Sequence, residues 1–157
     1  MRLTTFSDYS FRVLIYLGTA QGRLVTIEQI ATAYGISANH LMKVVHHLAQ
    51  RGYIETVRGK GGGMRLARTP QAINVGAVVR ATEDNFALVD CFEDGGGPEC
   101  RIERVCALKH ALAQALEAFL ATLDRYTLAD LLGPMRPLTR ILTLPASARS
   151  ARATVSS

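Results

Sequence analysis

Residues 26–67 read TIEQIATAYGISANHLMKVVHHLAQRGYIETVRGKGGGMRLA, and this stretch carries the most specific structural signals of the chain. Thr26 and Gln29, three residues apart, have the form of a capping box and begin a short helix that Gly35 ends. Ser37 then caps another helix, whose apolar residues recur at helical spacing on one face: Leu41, Val44, Val45 and Leu48. The pattern predicts two helices joined by a tight turn, a helix-turn-helix over about residues 26–51.

Two short runs of alternating apolar and polar residues follow at 53–57 and 64–67. Four glycines cluster in the loop between them, and glycine tolerates the positive φ angles of a hairpin loop. A nucleotide-binding phosphate loop is excluded, because no Gly-Lys-Ser/Thr follows and both flanks are strand-like. With a first helix from about Ser7 to Ala20 and a helix after Asn74, the order predicts a winged helix-turn-helix domain over residues 1–81. Its wing lies at about 53–68.

The second half of the chain is dominated by one amphipathic helix. From Glu103 to Arg125 the apolar residues recur at spacings of three and four: Val105, Leu108, Leu112, Leu116, Phe119 and Leu123. Such a face packs on its own domain or on a second copy, and both alternatives remain open from spacing alone. The fold class is therefore mainly α, with a long C-terminal helix over 103–132. Residues 133–157, rich in Ala, Ser and Arg towards the end, are predicted to form a disordered tail.

Charge is distributed unevenly along the chain. Residues 1–70 carry nine Lys/Arg against three Asp/Glu, whereas residues 71–133 carry five against ten. A basic module is typical of nucleic-acid binding, although a solvated basic face gives the same pattern. The second helix of a helix-turn-helix enters the major groove, and cationic wing residues suit phosphates or the minor groove. We expect contacts to double-stranded DNA from Ser37, Asn39, His40, Lys43, Arg58, Lys60 and Arg65, with His46 and His47 also facing outward.

Other classes of protein are disfavoured. No stretch approaches the roughly 20 apolar residues that span a bilayer, and the N-terminal residues lack the apolar run of a secretory signal. We therefore expect a cytoplasmic protein without a membrane partner. We also expect no enzyme, because the sequence has no cysteine–histidine pair, no Cys-x-x-Cys motif and no cofactor loop.

Three cysteines, Cys91, Cys100 and Cys106, lie within 16 residues in the segment 82–106. An odd number of clustered thiols in a reducing compartment argues against a disulfide framework. The gaps are longer than those of zinc knuckles, and a fourth cysteine is missing, so an iron–sulfur cluster is favoured over structural zinc. A two-cysteine redox switch and three inert thiols are the remaining alternatives.

Several blocks resemble the NsrR/IscR/RirA group of winged-helix iron–sulfur transcriptional regulators. The match runs from residue 1 to about residue 132 and rests on the N-terminal Met-Arg-Leu-Thr, on Asp8-Tyr9, on residues 40–45, on the basic glycine loop with its flanks, on the three cysteines, and on Tyr126-Thr127-Leu128-Ala129-Asp130-Leu131. Within the group the chain looks most like the nitric-oxide-sensing NsrR branch. The IscR branch has a histidine three residues after its last cysteine, where this chain has Lys109. Residues 82–94 also resemble the iron-responsive RirA branch.

This resemblance implies a repressor that binds operator DNA as a homodimer, with the helix around residues 103–125 as its interface. It implies an iron–sulfur cluster on Cys91, Cys100 and Cys106, with a four-iron cluster preferred to a two-iron one. In the NsrR branch an aspartate of the partner subunit completes the cluster, and Asp8 matches that position. The implied signal is nitric oxide, and an iron-responsive regulator of the RirA kind is the alternative.

Overall fold

The computed structural model describes residues 2–92, 100, 102 and 105–143. Over these residues the chain is mainly helical and carries one two-stranded hairpin. Single 3-10 turns at Pro70–Ala72 and Asp90–Phe92 accompany the regular elements. Those elements are α1 Thr5–Thr19, α2 Ile27–Tyr34, α3 Ala38–Gln50, β1 Ile54–Val57, β2 Gly63–Leu66, α4 Val75–Thr82, α5 Ala107–Leu123, α6 Leu128–Leu131 and α7 Met135–Thr143. The predicted winged helix-turn-helix order is thus confirmed.

Helices α1, α2 and α3 enclose the core of the N-terminal domain. The capping box that begins α2 is present, since Gln29 N–H donates to Thr26 Oγ1 and Thr26 N–H donates to Gln29 Oε1. Gly35 ends α2 in the left-handed conformation, at φ 68°. The apolar face predicted for α3 is buried, together with residues of α1, α2 and the hairpin: Val13, Leu14, Leu17, Ile30, Leu41, Val44, Val45, Leu48, Ile54 and Met64.

The hairpin after α3 has the geometry of a wing. Strands β1 and β2 are antiparallel, with Ile54 opposite Leu66 and Val57 opposite Gly63. Residue Val25, in the turn before α2, adds a short bridge to Met64 and joins the hairpin to the helical core. The loop at the tip needs glycine at residues 59 and 61, where φ is +98° and +78°.

Helix α4 is attached to the end of α5. The helix predicted after Asn74 is present, and Asn74 caps it, because its Oδ1 accepts from Ala77 N–H at 2.9 Å. Arg80 makes a bidentate ion pair with Asp124, with N–O distances of 2.6 and 2.7 Å. These hydrogen bonds lower the pKa of Asp124 and raise that of Arg80. Leu128 N–H donates to Ile73 O, so the chain after α5 returns to the N-terminal domain.

Helix α5 begins later than predicted and is poorly covered. It starts at Ala107, with Cys106 as its N-cap, so the predicted start at 103 is wrong for residues 105 and 106. No residue of α5 is buried. Val105 and Leu108 are 81% and 62% exposed, and the other residues of the predicted face are half-buried. The single chain therefore leaves the N-terminal part of this apolar face exposed and covers the rest only in part. No helix among the described residues is long and apolar enough to cross a membrane.

The prediction that a disordered tail begins at residue 133 is wrong for its first part. Residues 135–143 form α7, which packs against α1 and α2. Leu142 is buried, and Met135 and Leu138 pack on the core. The helix forms because apolar residues at 135, 138 and 142 make one packing face, whereas Arg136 and Arg140 are exposed. The rest of the expected tail, 144–157, lies outside the described residues.

Candidate DNA-binding surface and cysteine segment

The outer face of α3 carries most of the predicted DNA contacts. Burial of the apolar face leaves Asn39, His40 and Lys43 exposed near the start of the helix. Ser37 is the N-cap residue, is exposed, and makes no side-chain cap hydrogen bond, so its hydroxyl is available to a ligand. Polar groups at the N-terminal end of a recognition helix are placed to contact base edges and phosphates.

The wing adds two exposed cations to this surface. Arg58 and Lys60 lie in the glycine loop, and neither forms an ion pair with a described residue. Arg65 differs, because it lies opposite Glu55 in the strand register and forms an ion pair with it. The two free cations are therefore better placed for phosphate contacts than Arg65, whose charge is already compensated.

Helix α1 meets the recognition helix beside this surface. The rings of Tyr9 and His40 lie 6.4 Å apart. Arg12 forms an ion pair with Asp8 at 2.8 Å, and its guanidinium lies 5.8 Å from the Tyr9 ring centroid and 5.6 Å from that of Tyr34. Asp8 is thus connected to the recognition helix through the side chains of Arg12 and Tyr9.

The prediction that His47 faces outward is wrong. His47 is half-buried, its ring contacts Phe6 edge-on at 5.3 Å, and its Nε2 lies 2.7 Å from Ala81 O. Because a carbonyl oxygen only accepts, Nε2 is the donor. The prediction failed because a polar residue on the inner edge of a helix finds a partner that only the tertiary structure supplies. His40 and His46 are exposed, as predicted.

The three cysteines are free thiols between α4 and α5. Cys91 and Cys106 are half-buried and Cys100 is exposed. Cys106 Sγ accepts from Lys109 N–H at 3.4 Å, so this thiol lies at the N-terminus of α5. Thiolates are soft ligands, and three of them suit iron–sulfur or zinc chemistry. The composition of the donor set fits a cluster, but among the described residues no three His, Cys, Asp or Glu side chains converge on a metal site.

Glu83, at the end of α4, makes contacts with the start of α1 that were not predicted from the sequence. Its Oε1 accepts from Thr4 N–H at 2.8 Å, from Thr4 Oγ1 at 3.0 Å and from Ser7 Oγ. Ser7 Oγ also lies 2.7 Å from Thr82 Oγ1. The one available signal was an acid directly after a predicted helix, which does not identify a partner more than 70 residues away.

The comparisons with known proteins agree with this architecture. The family model described as "Rrf2: Iron-dependent Transcriptional regulator" matches residues 3–134. The chain belongs to the Rrf2 family. It is 52% identical to the HTH-type transcriptional regulator NsrR of Bacillus subtilis strain 168, over 92% of this chain and 99% of that protein. It is 50% identical to NsrR of Geobacillus kaustophilus, over 90% of this chain and 97% of that protein.

Solved structures of transcriptional regulators have the same fold. A transcriptional regulator from Listeria innocua superposes with a TM-score of 0.70 at 26% identity, covering 84% of this chain and 86% of its own. CymR, the global cysteine regulator of B. subtilis, gives 0.66 at 26% identity, covering 83% and 95%. This Rrf2 protein is accordingly a DNA-binding transcriptional regulator and not an enzyme, and the predicted resemblance to the NsrR/IscR/RirA group is confirmed.

Proposed function

We propose that this Rrf2 regulator is a cytoplasmic repressor that binds operator DNA as a homodimer and responds to nitric oxide through an iron–sulfur cluster. The observation that carries the proposal is the position of the cysteines. Three free thiols lie between the last helix of a winged domain and a helix whose apolar face is only partly covered. Identity of 52% to a protein named NsrR supports the same assignment.

The residues that would hold the cluster are Cys91, Cys100, Cys106 and Asp8 of the partner subunit. Three thiolates and one oxygen ligand leave one iron more labile than a fourth thiolate would, which suits a sensor. A four-iron cluster is our preference, on the resemblance to the NsrR branch. When bound, the cluster supplies iron that reacts with nitric oxide.

The partly covered apolar face of α5 supports a homodimer. Leu108 is 62% exposed, and Leu112, Leu116 and Phe119 are half-buried in the single chain. A helix with an apolar stripe is stable in water when the stripe packs on another element, and no described element covers this one completely. A second α5 offers a self-complementary partner, as a twofold dimer requires.

The contacts of Asp8 indicate how the two halves communicate. In the single chain Asp8 pairs with Arg12, which contacts Tyr9, and the Tyr9 ring contacts His40 of the recognition helix. An Asp8 carboxylate engaged as a ligand in the partner subunit leaves Arg12 without this pair. The position of the α1 surface beside His40 then depends on whether Asp8 is a cluster ligand or is paired with Arg12. If these two states differ in DNA affinity, the protein acts as a switch.

The test uses anaerobically purified protein and a duplex selected by that protein from a random-sequence library. Iron and sulfide analysis comes first, because matched iron and sulfide are required. We expect nitric oxide to release the duplex in a gel shift, and Cys106→Ser to abolish the difference between treated and untreated protein. Lys60→Gln is the control, since it weakens binding in both states. Equal affinity before and after nitric oxide would refute the proposed signal.

A second candidate is an iron-responsive regulator, favoured by the RirA-like stretch at residues 82–94 and by the iron-dependent description of the family. It uses the same cysteines and the same DNA surface. It predicts release of the duplex by a mild iron chelator in the absence of nitric oxide. Release by nitric oxide with resistance to the chelator favours the first proposal.

A further inference from the structure

Helix α1 does not complete its own N-terminal cap. Thr4 is the N-cap residue and accepts from Ser7 N–H at 3.2 Å. In a full capping box the third helical residue returns a side-chain oxygen to the N-cap N–H. Here that residue is Ser7, which does not make this bond, and Glu83 Oε1 accepts from Thr4 N–H instead. Helices α2 and α6 complete their boxes locally, through Gln29 and Asp130.

The same short segment also contacts the recognition helix. His47 of α3 donates to Ala81 O, and its ring packs against Phe6 in the first turn of α1. Ala81, Thr82 and Glu83 are consecutive residues, and Ser7 and Thr82 are buried at the contact between α1 and α4. Three helices, α1, α3 and α4, therefore meet at residues 81–83, which we name the α4 junction.

The α4 junction lies directly before the segment of the chain that leads to the cysteines. Glu83 has an extended backbone, at φ −97° and ψ 133°, and is where the chain leaves α4. Only seven residues separate it from Cys91. A cavity of about 360 Å³ lies beside the junction, lined in part by Thr4, Glu83, Phe86 and Leu116, so the segment after Glu83 is not tightly packed against the start of α1.

We propose that Glu83 and His47 are positioning residues that couple the conformation of the cysteine segment to the recognition helix. Displacement of residues 84–91 moves Glu83 and breaks the hydrogen bond from Thr4 N–H to Glu83 Oε1 that completes the cap of α1. The first turn of α1 carries Asp8, and both Phe6 and Tyr9 contact α3. The same displacement shifts Ala81 O, to which α3 is attached by His47. This inference rests on the proposed function, because it requires that the cluster state changes DNA affinity.

The test measures a ratio for each variant: the operator Kd of cluster-free protein divided by that of cluster-containing protein, on the library-selected duplex. Cluster loading is checked by iron and sulfide content. We expect Glu83→Ala and His47→Phe to lower this ratio about fivefold or more, the lower end of usual coupling factors. His47→Phe keeps an aromatic ring against Phe6 and removes only the bond to Ala81 O.

Matched controls separate coupling from folding. Glu83→Gln keeps an oxygen that can accept from Thr4 and Ser7, so we expect it to restore most of the ratio. Gln29→Ala removes the equivalent cap bond of α2, which has no connection to the cysteines, and His46→Phe changes the exposed neighbour of His47. Both should leave the ratio unchanged, even where absolute affinity or melting temperature falls.

Amide hydrogen exchange supplies a readout besides DNA binding. We expect the α3 amides of cluster-containing Glu83→Ala to exchange like those of the cluster-free unsubstituted protein. An unaltered ratio in loaded Glu83→Ala and His47→Phe, with the unsubstituted protein still responding to cluster loss, overturns the coupling role alone. A ratio of one in the unsubstituted protein overturns the proposed function and this inference with it.

Discussion

Replacement of Leu108 by Ala tests the proposed dimer interface on α5. Leu108 is 62% exposed in the single chain and lies one residue inside the start of the helix. Burial stabilises by about 0.8 kcal/mol per CH₂ group, and Leu→Ala removes three carbons, or about 2.4 kcal/mol when burial is complete. The exposed 62% corresponds to about 1.5 kcal/mol per subunit if the partner covers it fully.

A twofold dimer contains this change twice, which gives about 3 kcal/mol and raises the dimer dissociation constant roughly a hundredfold. Sedimentation equilibrium of cluster-free, reduced protein measures that constant over a concentration series. Met42→Ala is the matched control, because Met42 is 53% exposed but lies on the recognition helix. An unchanged constant for Leu108→Ala, or an equal effect of Met42→Ala, would contradict α5 as the interface.

Three further predictions concern the wing, the α4–α5 attachment and acid stability. Lys60→Gln should reduce the magnitude of the negative slope of log K against log salt for DNA binding by about 1, because one phosphate contact is lost. Fluorescence anisotropy measures this slope. Gly76→Ala places a Cβ in steric conflict with Asp124 Oδ1 and should displace that carboxylate from Arg80. We expect a loss of about 1 kcal/mol in denaturant unfolding, at the low end of overpacking costs because the carboxylate can rotate away. The pKa of Asp124 is lowered by Arg80, and that of Asp130 by hydrogen bonds from Thr127. Their stabilisation is therefore complete above about pH 4, the ordinary range of aspartate, and is lost as pH falls through the lowered values. A melting temperature that does not fall on acidification, or that falls equally in Asp124→Asn, would contradict this account.

The N-terminal domain could be predicted from local sequence because its signals act over a few residues. Thr26 and Gln29 cap α2, Gly35 ends it, and the spacing from Leu41 to Leu48 determines which face of α3 is buried. The wing follows from alternation and glycine-rich turn chemistry. In each case the partner that satisfies the backbone or the apolar face lies within the same element or the next one.

The boundary errors at α5 and α7 have a different origin. Apolar periodicity continues through Val105 into α5, but Cys106 adopts an extended conformation and caps the helix with its thiol. The pattern of α7 includes Pro137 and follows Gly133-Pro134, without a capping residue such as those that begin the similarly short α2 and α4, so it does not predict a helix by itself. Its packing against α1 and α2 stabilises it.

Local sequence was sufficient to predict the mainly helical winged fold, the exposed basic residues of α3 and the wing, and the presence of three soft thiol ligands. Each of these depends on residue type and on spacing along a few turns of chain. Tertiary packing determines that Glu83 caps α1, that His47 bonds Ala81 O and that the Asp8–Arg12 pair lies beside the recognition helix. The first two join residues more than 30 positions apart, and the setting of the third beside α3 depends on how α1 packs. Hydrogen-bond partners at such separations are selected by the packing of whole helices, which no local pattern encodes.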